Sequence, residues 1–248
     1  MGATPQRRIY RPPGQAHMKV AAIIAAAGAG RRMKAGRPKQ LLALEGVPIL
    51  VLTLRKFDAS PLIDHIVIAS PRETVDEVRQ MVDEAGLTKP AIVIEGGERR
   101  QDSVASAIGN MAAGTDLVAV HDGVRPFVSL DEIEQVTEAA LVSGAAILAI
   151  PITDTVKEVE RDVVKSTLRR ENLVLVQTPQ VFQTKILHEA FDSARRDGYY
   201  GTDEASLVER SGHPVLLVRG SKRNIKITRP TDLALARFLL EEERAPVE

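Results

Sequence analysis

The sequence contains no cysteine, which excludes disulfide bridges, thiolate zinc sites and a cysteine nucleophile. It has no net charge either: 33 Lys and Arg balance 33 Asp and Glu. No field of the whole molecule therefore draws it to nucleic acid or to an anionic membrane, and its basic residues act locally or not at all. No apolar stretch reaches the roughly 20 residues that a membrane-spanning helix needs. The opening stretch "MGATPQRRIYRPPGQAH" lacks the apolar centre of a signal peptide, and Gln6 stands where a myristoylation signal needs Ser or Thr. A soluble, cytoplasmic protein is expected, without nucleic-acid or membrane partners. Internal repeats and low-complexity tracts are also missing.

What is present is the balance of a folded globular chain, 44% hydrophobic and 27% charged over 248 residues. Residues 1–17 read as a disordered tail and 18–248 as one domain. Short apolar runs recur: "VAAIIA" at 20–25, "HIVIAS" at 65–70, "AIVIEG" at 91–96, "LVAVHD" at 117–122 and "AAILAIP" at 145–151. Rich in Ile, Val and Ala without strict polar alternation, they predict strands covered on both faces. Between them, helices are predicted at 49–58, 74–84, 102–111 and 130–142, the last capped by Ser129. Strands are further predicted at 213–220 and 224–228, with a final helix from Pro230. Alternation of this kind implies a three-layer α/β fold with a mostly parallel sheet. Residues 152–174 break the rhythm, alternating charge with β-branched residues. They read as a β-ribbon or arm protruding from the body, which must pack on something, a second subunit being the natural surface.

In such a sheet, ligands bind beyond the carboxyl ends of the strands. There stands "AAAGAGRRMKAGRPKQ", residues 25–40, with three glycines and five basic residues. Gly28 and Gly30 let phosphate approach backbone N–H groups. A Walker loop would need Gly-Lys followed by Ser or Thr, and a dinucleotide fingerprint a third glycine where Met33 stands. A nucleotidyltransferase loop, with Arg32 and Lys39 flanking a reacting phosphorus, fits better.

Six further landmarks follow in order: "GGERRQDSV", "VHDGVRP", "TDTVK", "QTPQVF", "TDEASLVE" and "NIKITRPTDLALA". With them the chain resembles, from about residue 19 to 240, the 2-C-methyl-D-erythritol 4-phosphate cytidylyltransferases of the non-mevalonate isoprenoid pathway. The resemblance implies a Rossmann-like nucleotidyltransferase fold and attack of a sugar-alcohol phosphate oxygen on the α-phosphorus of CTP, with loss of pyrophosphate. Such transfer is catalysed chiefly by positioning and electrostatic stabilisation.

By resemblance, Arg32 and Lys39 stabilise charge around the α-phosphate, while Arg170, with the adjacent Arg169 as the alternative, and Lys226 position the acceptor. Ala26, Ala27, Gly28, Gly30, Gly96, Gly97 and Ser103 surround the nucleotide, with helix capping as the plain alternative for Ser103. Asp122, Arg125, Thr155 and Thr202 fall near the acceptor, and Asp203 with them, capping again being the alternative for the last pair. The resemblance also implies a homodimer in which the arm closes the neighbouring site, and Mg²⁺ bound through CTP phosphates, with its protein ligands unassigned. The five histidines show no ligand spacing, and His121 reads as structural.

Two other enzymes and a binding module compete. A ribitol-5-phosphate cytidylyltransferase tends to carry an alanine-cysteine pair after Thr-Asp in its late motif, where this chain has "TDEASLVE". An NAD-dependent dehydrogenase lacks support without the third glycine. A non-catalytic nucleotide sensor would not need Arg170 and Lys226.

Overall fold

The computed structural model describes residues 18–28 and 38–244. The expected tail, the stretch carrying Gly30 and Arg32, and residues 245–248 lie outside the described residues. The first half of the chain contributes β1 (Val20–Ala25), the short hairpin β2 (Ala43–Leu44) and β3 (Val47–Pro48), α1 (Ile49–Ala59), β4 (His65–Ser70), α2 (Val75–Ala85), β5 (Ala91–Glu95), α3 (Arg100–Ile108) and β6 (Leu117–Asp122). Then come α4 (Leu130–Ser143), β7 (Ala145–Pro151), β8 (Lys157–Glu160), β9 (Val163–Thr167), β10 (Val174–Gln183), α5 (Thr184–Arg196), α6 (Glu204–Arg210), β11 (Leu216–Arg219) and α7 (Pro230–Arg244).

Seven strands form one sheet in the order β11-β7-β10-β6-β1-β4-β5. β1 pairs in parallel with β4 and β6, β4 with β5, and β7 with β11, whereas β10 runs antiparallel to both its neighbours. Period-two side-chain direction feeds two cores at once. In β1, Val20, Ala22 and Ile24 enter the core that α1, α2 and α4 cover, while Ile23 enters the core beneath α3, α5 and α6. This is why "VAAIIA" carries no polar alternation: neither face meets water.

The predicted helices are present with shifted ends, and Ser129 caps α4 as expected. Its side chain accepts the Glu132 N–H at 3.1 Å, and Glu132 reaches back to the Ser129 N–H at 2.9 Å. The expected strand at 213–220 shortens to β11. That at 224–228 does not form. One backbone-to-backbone bond ties it to the body, Ile227 N–H to Val124 C=O at 3.0 Å. Ile227 instead anchors it in a third apolar cluster with Leu44, Phe127 and the α7 residues Ala236, Leu239 and Leu240. β10, α5 and α6 carry no prediction from the sequence. Among the described residues no helix is long and apolar enough to cross a membrane.

β8 and β9 form an antiparallel ribbon outside the main sheet. Its turn places Arg161 and Asp162 at φ 48° and 66°, the pair of positive values that a two-residue hairpin uses. Val159, Val163 and Val164 are exposed on it, and Val174, Leu175 and Val176 at the start of β10 continue the exposed apolar strip.

Gly144 closes α4 at φ 87°, and a Cβ there would lie 2.6 Å from Ile186 Cδ1. The left-handed conformation demands glycine, and an added Cβ would also push the tip of the Ile186 side chain aside. Gly144→Ala should cost more than about 1 kcal/mol, seen as a lower denaturant midpoint at unchanged slope; an unaltered midpoint would contradict this account of the turn.

Candidate active site

The carboxyl ends of β1, β5 and β6 open onto a cavity of about 510 Å³, where the topology of a parallel sheet places ligands. Ala26, Ala27 and Gly28 continue β1 into its wall, and Lys39, Gly97, Ser103, Asp122 and Lys226 line it from other elements. The walls are tied together by backbone contacts. Ala26 N–H bonds Ala69 C=O at 2.9 Å, Gly123 N–H bonds Ala25 C=O at 3.0 Å, and the buried Gln40 side chain donates to Ala26 C=O at 2.5 Å.

Gly96 is required where the β5 end meets the β1 end, since a Cβ there would lie 2.6 Å from Ala27 Cβ and 2.8 Å from Ser103 Oγ. Ser103 is buried in the first turn of α3. Its hydroxyl accepts the Gly97 N–H at 3.1 Å and donates to Arg99 C=O at 3.0 Å. The serine thus stitches the glycine turn to the helix, leaving one acceptor lone pair.

At the end of β6, Asp122 is buried and surrounded by cations. Arg100 Nε lies 3.1 Å from Oδ1; Lys226 Nζ at 2.8 Å and Arg125 Nε at 3.4 Å approach Oδ2. Burial opposes ionisation of this carboxyl, but Arg100, Lys226 and Arg125 outweigh it and hold its pKa well below the usual carboxylate range. Arg100 Nη1 also donates to both oxygens of Glu204 at 2.7 Å. Three cations thus face two carboxyl groups, and burial pushes the pKa of Glu204 up against the opposing pull of Arg100. Arg100 is absent from the residues that the sequence singled out, although its motif was recognised, and Glu204 likewise. In each case the partner lies far along the chain.

His121 sits behind this cluster, fully buried. The Asp122 N–H donates to Thr178 Oγ1 at 3.1 Å; that hydroxyl lies 3.0 Å from His121 Nδ1, and Nε2 lies 3.0 Å from Arg125 C=O. A carbonyl can only accept, so Nε2 carries the hydrogen and Nδ1 accepts from Thr178, a neutral ring specified at both ends. Burial pushes its pKa down to about 4.

The remaining sequence candidates fall elsewhere. Arg125 lies behind Asp122 with its Nη1 on Asn224 C=O at 2.8 Å, outside the cavity lining. Thr202 is exposed just before α6, and Asp203 caps that helix by accepting the Ser206 N–H at 3.0 Å. Thr155 and Arg170 belong to the ribbon region, Arg170 donating to Thr153 C=O at 2.8 Å. Neither lines the cavity of its own chain.

A cation-lined cavity at the strand ends of a mostly parallel, helix-covered sheet defines a nucleotidyltransferase-fold protein, and the comparisons agree. The sequence model of the IspD family, 2-C-methyl-D-erythritol 4-phosphate cytidylyltransferase, matches residues 20–242. The chain belongs to that family. A relative of that name from Solibacter usitatus is 49% identical over 239 residues, covering 92% of this chain and 98% of its own. Another from Syntrophus aciditrophicus is 46% identical over 231 residues, covering 92% and 99%. Among solved structures, the 4-diphosphocytidyl-2C-methyl-D-erythritol synthase of Anaerococcus prevotii superposes with TM-score 0.81 at 28% identity, over 91% of this chain and 97% of that one. The 2-C-methyl-D-erythritol 4-phosphate cytidylyltransferase of Thermus thermophilus gives 0.73 at 37% identity, over 90% and 100%.

The fold keeps His121 neutral, whereas the unfolded chain protonates it near pH 6.5. Its contribution to stability is therefore complete above pH 6.5 and is lost as the pH falls toward about 4, a loss reaching about 3 kcal/mol. Burial lowers the pKa of His65 too, so His65 adds a smaller loss of the same sign. Unfolding curves between pH 7 and 4 should show this slope, and His121→Gln should flatten most of it; an equal slope in the variant would exclude His121 as its source.

Proposed function

We propose that the chain transfers the cytidylyl group of CTP to 2-C-methyl-D-erythritol 4-phosphate, with release of pyrophosphate. An oxygen of the acceptor phosphate attacks the α-phosphorus, and the bond to the bridging oxygen breaks as pyrophosphate leaves with its electron pair. Both reactants are anions, so repulsion between them is the principal obstacle and fixed positive charge the principal remedy. The observation that carries the reading is the presence of Lys39 and the Asp122-held Lys226 in the walls of one cavity.

In this reading Arg32 and Lys39 meet the α-phosphate, arginine as a planar fork and lysine as a compact charge. Ala26, Ala27, Gly28, Gly30, Gly96, Gly97 and Ser103 form the nucleotide side. Lys226 meets the acceptor, and Asp122 orients it by fixing Lys226. Arg125 supports Asp122 from behind. Thr155 and Arg170 come from a second copy of the chain, whose ribbon closes the cavity near Thr202. The exposed valines of β8 and β9 support this homodimer.

Mg²⁺ fits the site as a metal carried on substrate oxygens. Both oxygens of Asp122 are already engaged by cations, and Glu98 is the other carboxylate of the lining. The metal would be carried chiefly on the CTP phosphates, with Glu98 reaching it through water, and would spread phosphate charge. The lack of cysteine is compatible with a cytoplasmic setting. Ribitol 5-phosphate is the competing acceptor, disfavoured by "TDEASLVE".

Pyrophosphate release should require CTP rather than ATP, GTP or UTP, and should proceed with methylerythritol phosphate in preference to ribitol 5-phosphate; the opposite acceptor preference would reassign the substrate. Lys39→Ala should lower kcat by about a hundredfold, on the scale of losing one transition-state donor worth about 3 kcal/mol, with little change in CTP affinity. An unchanged kcat would remove Lys39 from the role. Sedimentation should show a dimer that Val163→Glu and Val164→Glu together dissociate, and a fully active monomer would refute the shared site.

A further inference from the structure

Glu204 opens α6 and is only 1% exposed, yet both its oxygens accept from Arg100 Nη1 at 2.7 Å. The same guanidinium donates through Nε to Asp122 Oδ1 at 3.1 Å. One arginine thus bridges two buried carboxylates on separate elements. The α6 end of the bridge cannot drift. Gln180 of β10 donates to Asp203 Oδ2 at 2.8 Å and accepts the Ala205 N–H at 3.0 Å, so the residues on either side of Glu204 are both held by one side chain.

The bridge decides how Asp122 is shared. That carboxylate has two oxygens and three cationic neighbours. While Glu204 occupies Nη1, Arg100 reaches Asp122 through Nε alone and uses Oδ1. Oδ2 is left to Lys226 at 2.8 Å and to Arg125 at 3.4 Å. A guanidinium relieved of its second carboxylate favours the two-pronged pairing that takes both oxygens of the first. Arg100 would then displace the lysine, whose single ammonium has no geometric advantage with which to compete.

We propose that Glu204 is a positioning residue for the acceptor half of the reaction: by restraining Arg100 it reserves one oxygen of Asp122 for Lys226 and so fixes that ammonium in the cavity wall. The inference rests on the function proposed above. It separates Glu204 from residues that hold the nucleotide, since the glycine turn and Ser103 are tied to α3 by bonds that do not involve it.

The test is steady-state kinetics of Glu204→Gln, which keeps size and removes charge, with CTP and methylerythritol phosphate varied in turn. KM for the acceptor should rise about tenfold while KM for CTP stays within about twofold. In an Arg100→Lys background, which has no fork to restrain, adding Glu204→Gln should change the acceptor KM no further. An acceptor KM equal to that of the wild type, or equal losses for both substrates, would overturn the proposal. So would additive effects of the two substitutions. Should Glu204→Gln not fold, Glu204→Asp decides, since the shorter side chain draws the carboxylate away from Arg100: an acceptor-selective loss that Arg100→Lys relieves supports the bridge, and an unchanged acceptor KM refutes it. A wild-type protein that releases no pyrophosphate from this pair of substrates would instead defeat the functional reading itself, and this inference with it.

Discussion

The arrangement depends on one buried carboxylate. Asp122 lies at the end of β6, at the centre of the sheet, where burial alone would favour its neutral form. It is ionised because Arg100, Arg125 and Lys226 converge on it, and they converge because it is ionised. None of these groups is tolerable there alone, since an unpaired buried charge is far more costly than a paired one. The aspartate therefore works as a keystone of charge. It lets a protein of zero net charge concentrate cations at one place, and it sets Arg100 and Lys226 in the cavity lining.

The neutral parts of the site serve the same end. A hydrogen-bond chain from the Asp122 N–H through Thr178 and His121 to Arg125 C=O holds the backbone on which the keystone rests. On the nucleotide side, close approach replaces charge: Gly96 packs against Ala27 and Ser103, and Ser103 ties the turn at Gly97 to α3. One wall is therefore rigid through packing and the other through electrostatics. Both are built on strand ends, where the sheet allows little movement.

The parts of this structure that could be read from the sequence are those whose causes are local. "VAAIIA" and "LVAVHD" announce buried strands because both their faces are covered, and Ser129 with Glu132 announces a helix start because the capping partners are three residues apart. β10 gave no such signal: Gln177, Thr178 and Gln180 interrupt its apolar run, and they are polar because they bond Asn224, Asp122 and Asp203 across the site. "NIKIT" looks like a strand by alternation, but Ile227 is drawn into the α7 cluster and Lys226 toward Asp122. The charged site was legible as motifs, with the roles of Lys39 and Lys226 following from resemblance. Arg100 and Glu204 were not legible as a pair, because 104 residues separate them and no spacing rule spans such a distance.

The position of β10 has a consequence for how the chain is made. β6 and β7 are consecutive strands of the main sheet, yet they do not touch; β10 fills the place between them in the opposite direction. During synthesis from the N-terminus, β1, β4, β5 and β6 can assemble as soon as they emerge, but the β6 flank stays an open edge until Gln183 has left the ribosome. Two unpaired strand borders facing one another are an invitation to pair with a foreign chain. The nascent protein passes through a half-sheet whose vulnerable seam is closed from the far side, by the last central strand to be translated.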